Sequence, residues 1–111
     1  MNNEKFTQGE WEICYFRETP FGLEHYLVHE PNYGEVAVVN FHGESDGETE
    51  KANAALIAAA PQLYKMLKLA CYEFEIMANY CEENNMEGDA QSYTNLAFYI
   101  HKVLKKARGE E

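Results

Sequence analysis

Apolar and polar positions alternate with a period of two through the first part of the chain, then switch to a period near 3.6. From Glu10 to Arg17, Trp11, Ile13 and Tyr15 alternate with Glu12, Cys14 and Phe16, which predicts a strand. Thr19-Pro20-Phe21-Gly22 is a turn signal. A second strand follows over Leu23 to His29, with Leu23, His25, Leu27 and His29 on one face and Glu24, Tyr26 and Val28 on the other. Pro31-Asn32-Tyr33-Gly34 predicts another turn, and Glu35 to His42 a third strand, with Val36 and Val38 opposite Ala37, Val39 and Phe41. Short strands joined by tight turns make an antiparallel meander, and one face of such a sheet needs a cover.

Glu50 to Leu67 supplies that cover. The run is alanine-rich and has no internal glycine, so its helix propensity is high. Thr49 is the expected cap, with Glu48 and Glu50 near the positive end of the dipole. Pro61 has no N–H and disfavours helical geometry at Ala60, which predicts a short helix, a bend at Ala60-Pro61 and a second helix beyond it. Leu63, Leu67, Ala70, Phe74, Met77 and Cys81 form a heptad seam along that second helix. Asn84 to Gly88 breaks the pattern. Asp89 or Ser92 caps a last helix to about Ala107, whose facing stripe is Tyr93, Leu96 or Ala97, Ile100, Val103 or Leu104, and Ala107. The short connection makes the two helices an antiparallel hairpin. A further apolar flank at Leu69, Tyr72, Ile76 and Tyr80 exceeds what one hairpin partner covers, so a second subunit is expected on it.

These elements predict an α+β fold in a single domain over residues 1–111: a three-stranded antiparallel sheet at 10–42, a short helix at 50–60 packed on it, and a long C-terminal helical hairpin formed by 61–83 and 89–107. The net charge of −10 argues against direct nucleic-acid binding and suits a partner with a basic surface. Three cysteines at irregular spacing, no CxxC and no membrane-length apolar run predict a cytoplasmic protein with reduced, mostly buried thiols. The N-terminal residues do not read as a signal peptide.

No nucleophile elbow, phosphate loop, dinucleotide fingerprint or zinc motif is present, and the scattered carboxylates nominate no catalytic pair. The acidic loop from Gly43 to Glu48 lacks the spacing of a calcium loop and reads as solvated. His25 and His29, four apart in a strand, stand about 13 Å from each other, too far to share an ion. His42 and His101 read as surface or partly packed histidines. The expectation is therefore a protein that is not an enzyme and needs no cofactor or metal. For an anionic ligand the candidates are the two arginines, Arg17 and Arg108, with Lys102, Lys105 and Lys106 beside them, and Tyr72 and Tyr80 as stacking surfaces.

Ala52-Asn53-Ala54-Ala55-Leu56-Ile57-Ala58-Ala59-Ala60-Pro61-Gln62-Leu63 resembles the ANARLIAAAPELL signature of small accessory proteins encoded by phages and prophages. Thr7-Gln8-Gly9-Glu10-Trp11 is similar to their TPGPW opening, with Gln8 and Glu10 in place of the prolines. Ile100 to Glu110 is similar to their AIAKARGE ending. The order of strands then helices also resembles type 1 Thoeris anti-defence sponges, which oligomerise through helices and sequester cyclic ADP-ribose-type signals. The resemblance implies a non-catalytic protein of the host bacterial cytoplasm. It would counter a bacterial defence by binding, either sequestering a cyclic nucleotide signal or blocking a host defence protein. An acidic anti-CRISPR-type inhibitor of a nucleic-acid-binding effector and a structural self-association module without ligand are the alternatives. A homo-oligomer formed through the hairpin is expected, and no membrane partner.

Overall fold

The computed structural model describes residues 4–18, 23–43 and 45–110, with the side chains of Arg17, Glu18 and Leu23 outside the description. The turn expected over residues 19–22 also lies outside the described residues. The elements run β1 (Glu12–Glu18), β2 (Leu23–Glu30), β3 (Gly34–Asn40), α1 (Glu48–Glu83) and α2 (Glu87–Ala107). The chain divides into two compact units, Phe6–Gln62 and Leu63–Glu111, the latter including the N-terminal residues up to Lys5. α1 contributes residues to both.

In the first unit the strands form the expected antiparallel sheet in the order β1-β2-β3. Ile13 pairs with Val28 and Tyr15 with Tyr26, while Tyr26 pairs with Val39, so the alternating residues of the three strands share faces. Tyr15, Tyr26 and Phe41 cluster on one face, with ring centroids 5.5–6.2 Å apart. On the other face Phe16 stacks on His25 and the Cys14 Sγ lies 3.2 Å from the His29 Nε2. A register shift falls between Val28 and His29, beside the β2–β3 turn. Buried Glu30 holds that turn, its Oε2 accepting from the Asn32 and Tyr33 backbone N–H groups at 2.7 Å each. Val28 and Ala54 are wholly buried and mark the core of this unit.

Two local expectations change at the start of α1. The helix begins at Glu48, and the cap comes from Asp46, whose Oδ1 accepts from the Glu48 N–H, rather than from Thr49. The loop residues expected to be solvated are partly built in. Ser45 donates to buried Glu50 and accepts from the Gly47 N–H, so one hydroxyl ties the loop to the first helical turn.

The bend expected at Ala60-Pro61 is absent as a break: α1 is one helix of 36 residues with Pro61 inside it. Proline forfeits one hydrogen bond and crowds the preceding turn. The alanines before it and Gln62 to Lys68 after it are strong helix formers, and propagating an existing helix is far easier than nucleating a second one.

In the second unit α1 and α2 form the expected hairpin; Leu67, Phe74 and Cys81 lie in its seam as expected, while Tyr64, Cys71 and Ala78 stand where Leu63, Ala70 and Met77 were expected. The contact stripe on α1 is Tyr64, Leu67, Cys71, Phe74, Ala78 and Cys81, all buried or half-buried, while Leu63 and Met77 are exposed. Its counterpart on α2 is Ala90, Tyr93, Ala97, Ile100 and Leu104, which decides the alternatives in favour of Ala97 and Leu104. Cys71 meets the Ala97 carbonyl at 3.6 Å and Phe74 stacks on Tyr93 at 5.9 Å. Small side chains at Cys71, Ala78, Ala90 and Ala97 let the helices approach closely between the larger Tyr64, Leu67, Phe74, Tyr93 and Leu104. α2 starts at Glu87, before the expected caps: Met86 occupies the capping position without a side-chain bond, and Glu87 and Asp89 sit in the first turn. Asn85, at φ 59°, reverses the chain between the helices.

Candidate functional site

Many large apolar residues lie outside this seam. Leu63, Met66, Leu69, Tyr72, Ile76, Met77 and Tyr80 on α1 and Leu96, Tyr99 and Val103 on α2 are each more than a third exposed. At 3.6 residues per turn, Met66, Met77, Leu96 and Val103 fall on one side of the hairpin, and Leu69, Ile76 and Tyr80 continue that surface around α1. An ordinary surface helix carries charge there.

The opposite side of the hairpin carries a polar group beside the exposed Phe98. Glu75, one turn after Cys71, points across to α2, where its Oε1 lies 2.7 Å from the His101 Nε2. The Cys71 Sγ lies 3.5 Å from the same Oε1. Ligand atoms of these three residues all lie within 4.8 Å of one another. The hydrogen bond from His101 holds the Glu75 carboxyl below the usual carboxylate range, and burial, then Glu75 itself, pushes the Cys71 thiol up. A cleft of about 300 Å³ opens beside the three, walled by Glu75, Ala78, Asn79, Thr94, Phe98 and His101. This grouping was not legible in the sequence. Cys71 and Glu75 show the one-turn spacing, but only the hairpin register brings His101 to their level.

At the free end of the hairpin, Arg108 donates to the Tyr64 hydroxyl at 3.0 Å and to Glu110 at 2.8 Å. Hydrogen bonding to Arg108 lowers the Glu110 carboxyl, and the same bonds raise the guanidinium further above its already high value. Lys68 pairs with Glu4 at 2.9 Å and sits over the Tyr64 ring.

The residues nominated for an anionic ligand do not form one pocket. The Arg17 side chain lies outside the described residues. Arg108 is engaged by Tyr64 and Glu110, and Lys102 lies over the Phe98 ring at 5.6 Å. Lys105 is exposed on the last turn of α2. Tyr72 and Tyr80 are 62% and 55% exposed on the outer surface of α1. Tyr80 stands sixteen residues along α1 from the Tyr64 that holds Arg108, a helical span of about 24 Å. In the sheet unit a separate groove of about 490 Å³ runs between β3 and α1, bordered by Val38, Asn40, His42, Asn53, Leu56 and Ile57. Among the described residues no helix is long and apolar enough to cross a membrane.

A family model described as Salmonella phage P22 protein Y8K6 matches residues 1–111. No curated protein and no solved structure matches the chain. The phage origin implied by the Ala52–Leu63 run therefore stands on a match over the full length, and the chain belongs to the Salmonella phage P22 protein Y8K6 family.

Proposed function

We propose that this phage accessory protein is non-catalytic and acts by binding, as a homo-oligomer joined through the apolar side of its hairpin, to block a host protein of a bacterial defence. The observation that carries the reading is the exposed stripe of Met66, Leu69, Met77, Tyr80, Leu96, Tyr99 and Val103. Its side chains are each 38–62% exposed, and apolar side chains so exposed in one stripe mark an interaction surface. A second copy is its occupant: a C2 pair sets the same stripe against itself and removes both from water. The charge of −10 then stays on the outside of the assembly, where it favours a target with a basic, nucleic-acid-handling surface. The dispersal of Arg108, Lys102, Lys105, Tyr72 and Tyr80 weighs toward a protein target rather than a sequestered nucleotide signal.

Two measurements test this. Light scattering on the purified protein should give a mass of at least twice the 12.8 kDa chain; a monomer at every concentration overturns the assembly. Phage lacking the gene should plate less efficiently on hosts that carry the targeted defence and equally well on hosts without it. Equal plating across a panel of defended hosts counts against the anti-defence role and leaves self-association as the whole function.

A further inference from the structure

We propose that Cys71, Glu75 and His101 form a binding site for a zinc-class divalent ion that ties α1 to α2, with solvent from the adjoining cleft in the fourth position. The site goes beyond the binding role above and is independent of the oligomer surface, which lies on the other side of the hairpin.

The donor set points to the class of ion. One sulfur, one imidazole nitrogen and one carboxylate oxygen suit Zn²⁺ and its borderline-soft neighbours, whereas Mg²⁺ and Ca²⁺ take oxygen ligands. The geometry is partly formed for such an ion: the Cys71 sulfur and the His101 nitrogen lie within 4.8 Å of each other, against the roughly 3.6 Å that a shared ion needs. With metal–sulfur bonds of about 2.3 Å and metal–nitrogen and metal–oxygen bonds of about 2.0–2.2 Å, tetrahedral ligand atoms stand roughly 3.3–3.6 Å apart. Sulfur and oxygen are already 3.5 Å apart. Oxygen and nitrogen, at 2.7 Å, need to separate by about half an ångström to reach that range. Both side chains have room to do so, being 49% and 61% exposed.

The scaffold fits as well. The i, i+4 spacing puts Cys71 and Glu75 on one helix face. Cys71 is fixed in the seam against Ala97, and His101 comes from the opposite helix, so a bound ion bridges the two. On binding, the thiol gives its proton to solvent and the thiolate sulfur takes the metal; no oxidant or reductant is involved. The cleft lined by Asn79, Thr94 and Phe98 provides entry and room for a coordinated water.

The alternative is an ordinary interhelical Glu75–His101 pair beside a buried thiol, with no affinity for metal. Cobalt(II) titration of the full chain, stripped with chelator and kept reduced, separates the two. The proposal expects a near-ultraviolet thiolate-to-cobalt charge-transfer band with visible bands of tetrahedral intensity, saturating at one equivalent and bleached by zinc. Cys71→Ala should abolish the charge-transfer band. Cys14→Ala should leave it unchanged, although Cys14 adjoins His29. Because Cys71 is buried and its variant can fail to fold, the exposed substitutions Glu75→Gln and His101→Ala supply the second reading: each should weaken zinc binding about tenfold or more and abolish the zinc-induced rise in Tm. Absence of the band at roughly tenfold excess of cobalt, its persistence in Cys71→Ala, its loss in Cys14→Ala, or unchanged zinc affinity in both exposed variants overturns the site.

Discussion

Single side chains set the loop before α1 and the acid response of the hairpin. Gly47 has φ +87°, and a Cβ there would fall on the Phe41 ring. Gly43 also has positive φ, +48°, but open space around it. Gly47→Ala should therefore destabilise the protein by about 1–3 kcal/mol, and Gly43→Ala by clearly less, as read from urea midpoints. Glu4 and Lys68 give a second test. The hydrogen bond with Lys68 depresses the Glu4 carboxyl, and Glu4 in turn raises Lys68. A depressed carboxyl contributes stability that is present above its unfolded pKa and lost as pH falls through the folded value. Unfolding followed from pH 6 down to pH 2 should show that loss beginning near pH 4, and Glu4→Gln should make it smaller, leaving the share of the similarly depressed Glu75 and Glu110. With Lys68 half exposed the effect should stay at or below about 1 kcal/mol. The hairpin cluster shows why residue-level reading of the sequence stopped short: His101 lies 26 positions from Glu75, and nothing in its neighbours along the chain indicates that it faces a carboxylate and a thiol.

The helices show local rules overridden by their surroundings. Pro61 is a helix breaker by its own chemistry, yet α1 continues through it, and Pro61 is buried. Proline in a helix interior costs about 3 kcal/mol relative to alanine, of which about 1 kcal/mol returns through the stiffer unfolded chain. Pro61→Ala should thus raise stability by about 1 kcal/mol or more despite the lost ring packing, checked by thermal unfolding followed in the far ultraviolet. Along the seam, Ala97 faces Cys71 at backbone distance. Ala97→Leu should cost about 1–3 kcal/mol by forcing the helices apart, while Leu96→Ala, one residue away and exposed, should change the stability of the single chain by less than about 0.5 kcal/mol. The strands were more legible. Their period-two alternation allowed each face to be assigned, and the observed pairing of Ile13 with Val28 and Tyr26 with Val39 follows it up to the irregularity at His29.

For the molecule as a whole, the unusual property is the run of exposed large apolar residues along the outer surface of the hairpin, Met66, Leu69, Met77, Tyr80, Leu96, Tyr99 and Val103 among them. A surface helix in an isolated hairpin normally carries polar residues at such positions. If a second copy covers the outer surface, charges placed there should separate the copies without unfolding the chain. Leu96→Glu with Val103→Glu should convert the assembly to a monomer in light scattering and leave the helical circular dichroism unchanged. The same double substitution should leave zinc binding at Cys71, Glu75 and His101 intact, because those residues occupy the other side. An assembly that survives both charges would place the interface elsewhere.

The α+β order, the antiparallel meander and the hairpin are legible in the chain itself, because each is written in local periodicity, and local patterns need no knowledge of distant residues. The phage family is legible there too, in a match that runs over residues 1–111. Tertiary structure decided the rest. Along α1 the seam keeps Leu67, Phe74 and Cys81 of the expected heptad but takes Tyr64, Cys71 and Ala78 in place of Leu63, Ala70 and Met77, a choice that only packing against α2 makes. That choice leaves Met77 outside, beside Met66, Leu96 and Val103 in the proposed interface. It also sets the register that brings His101 to Glu75 and Cys71.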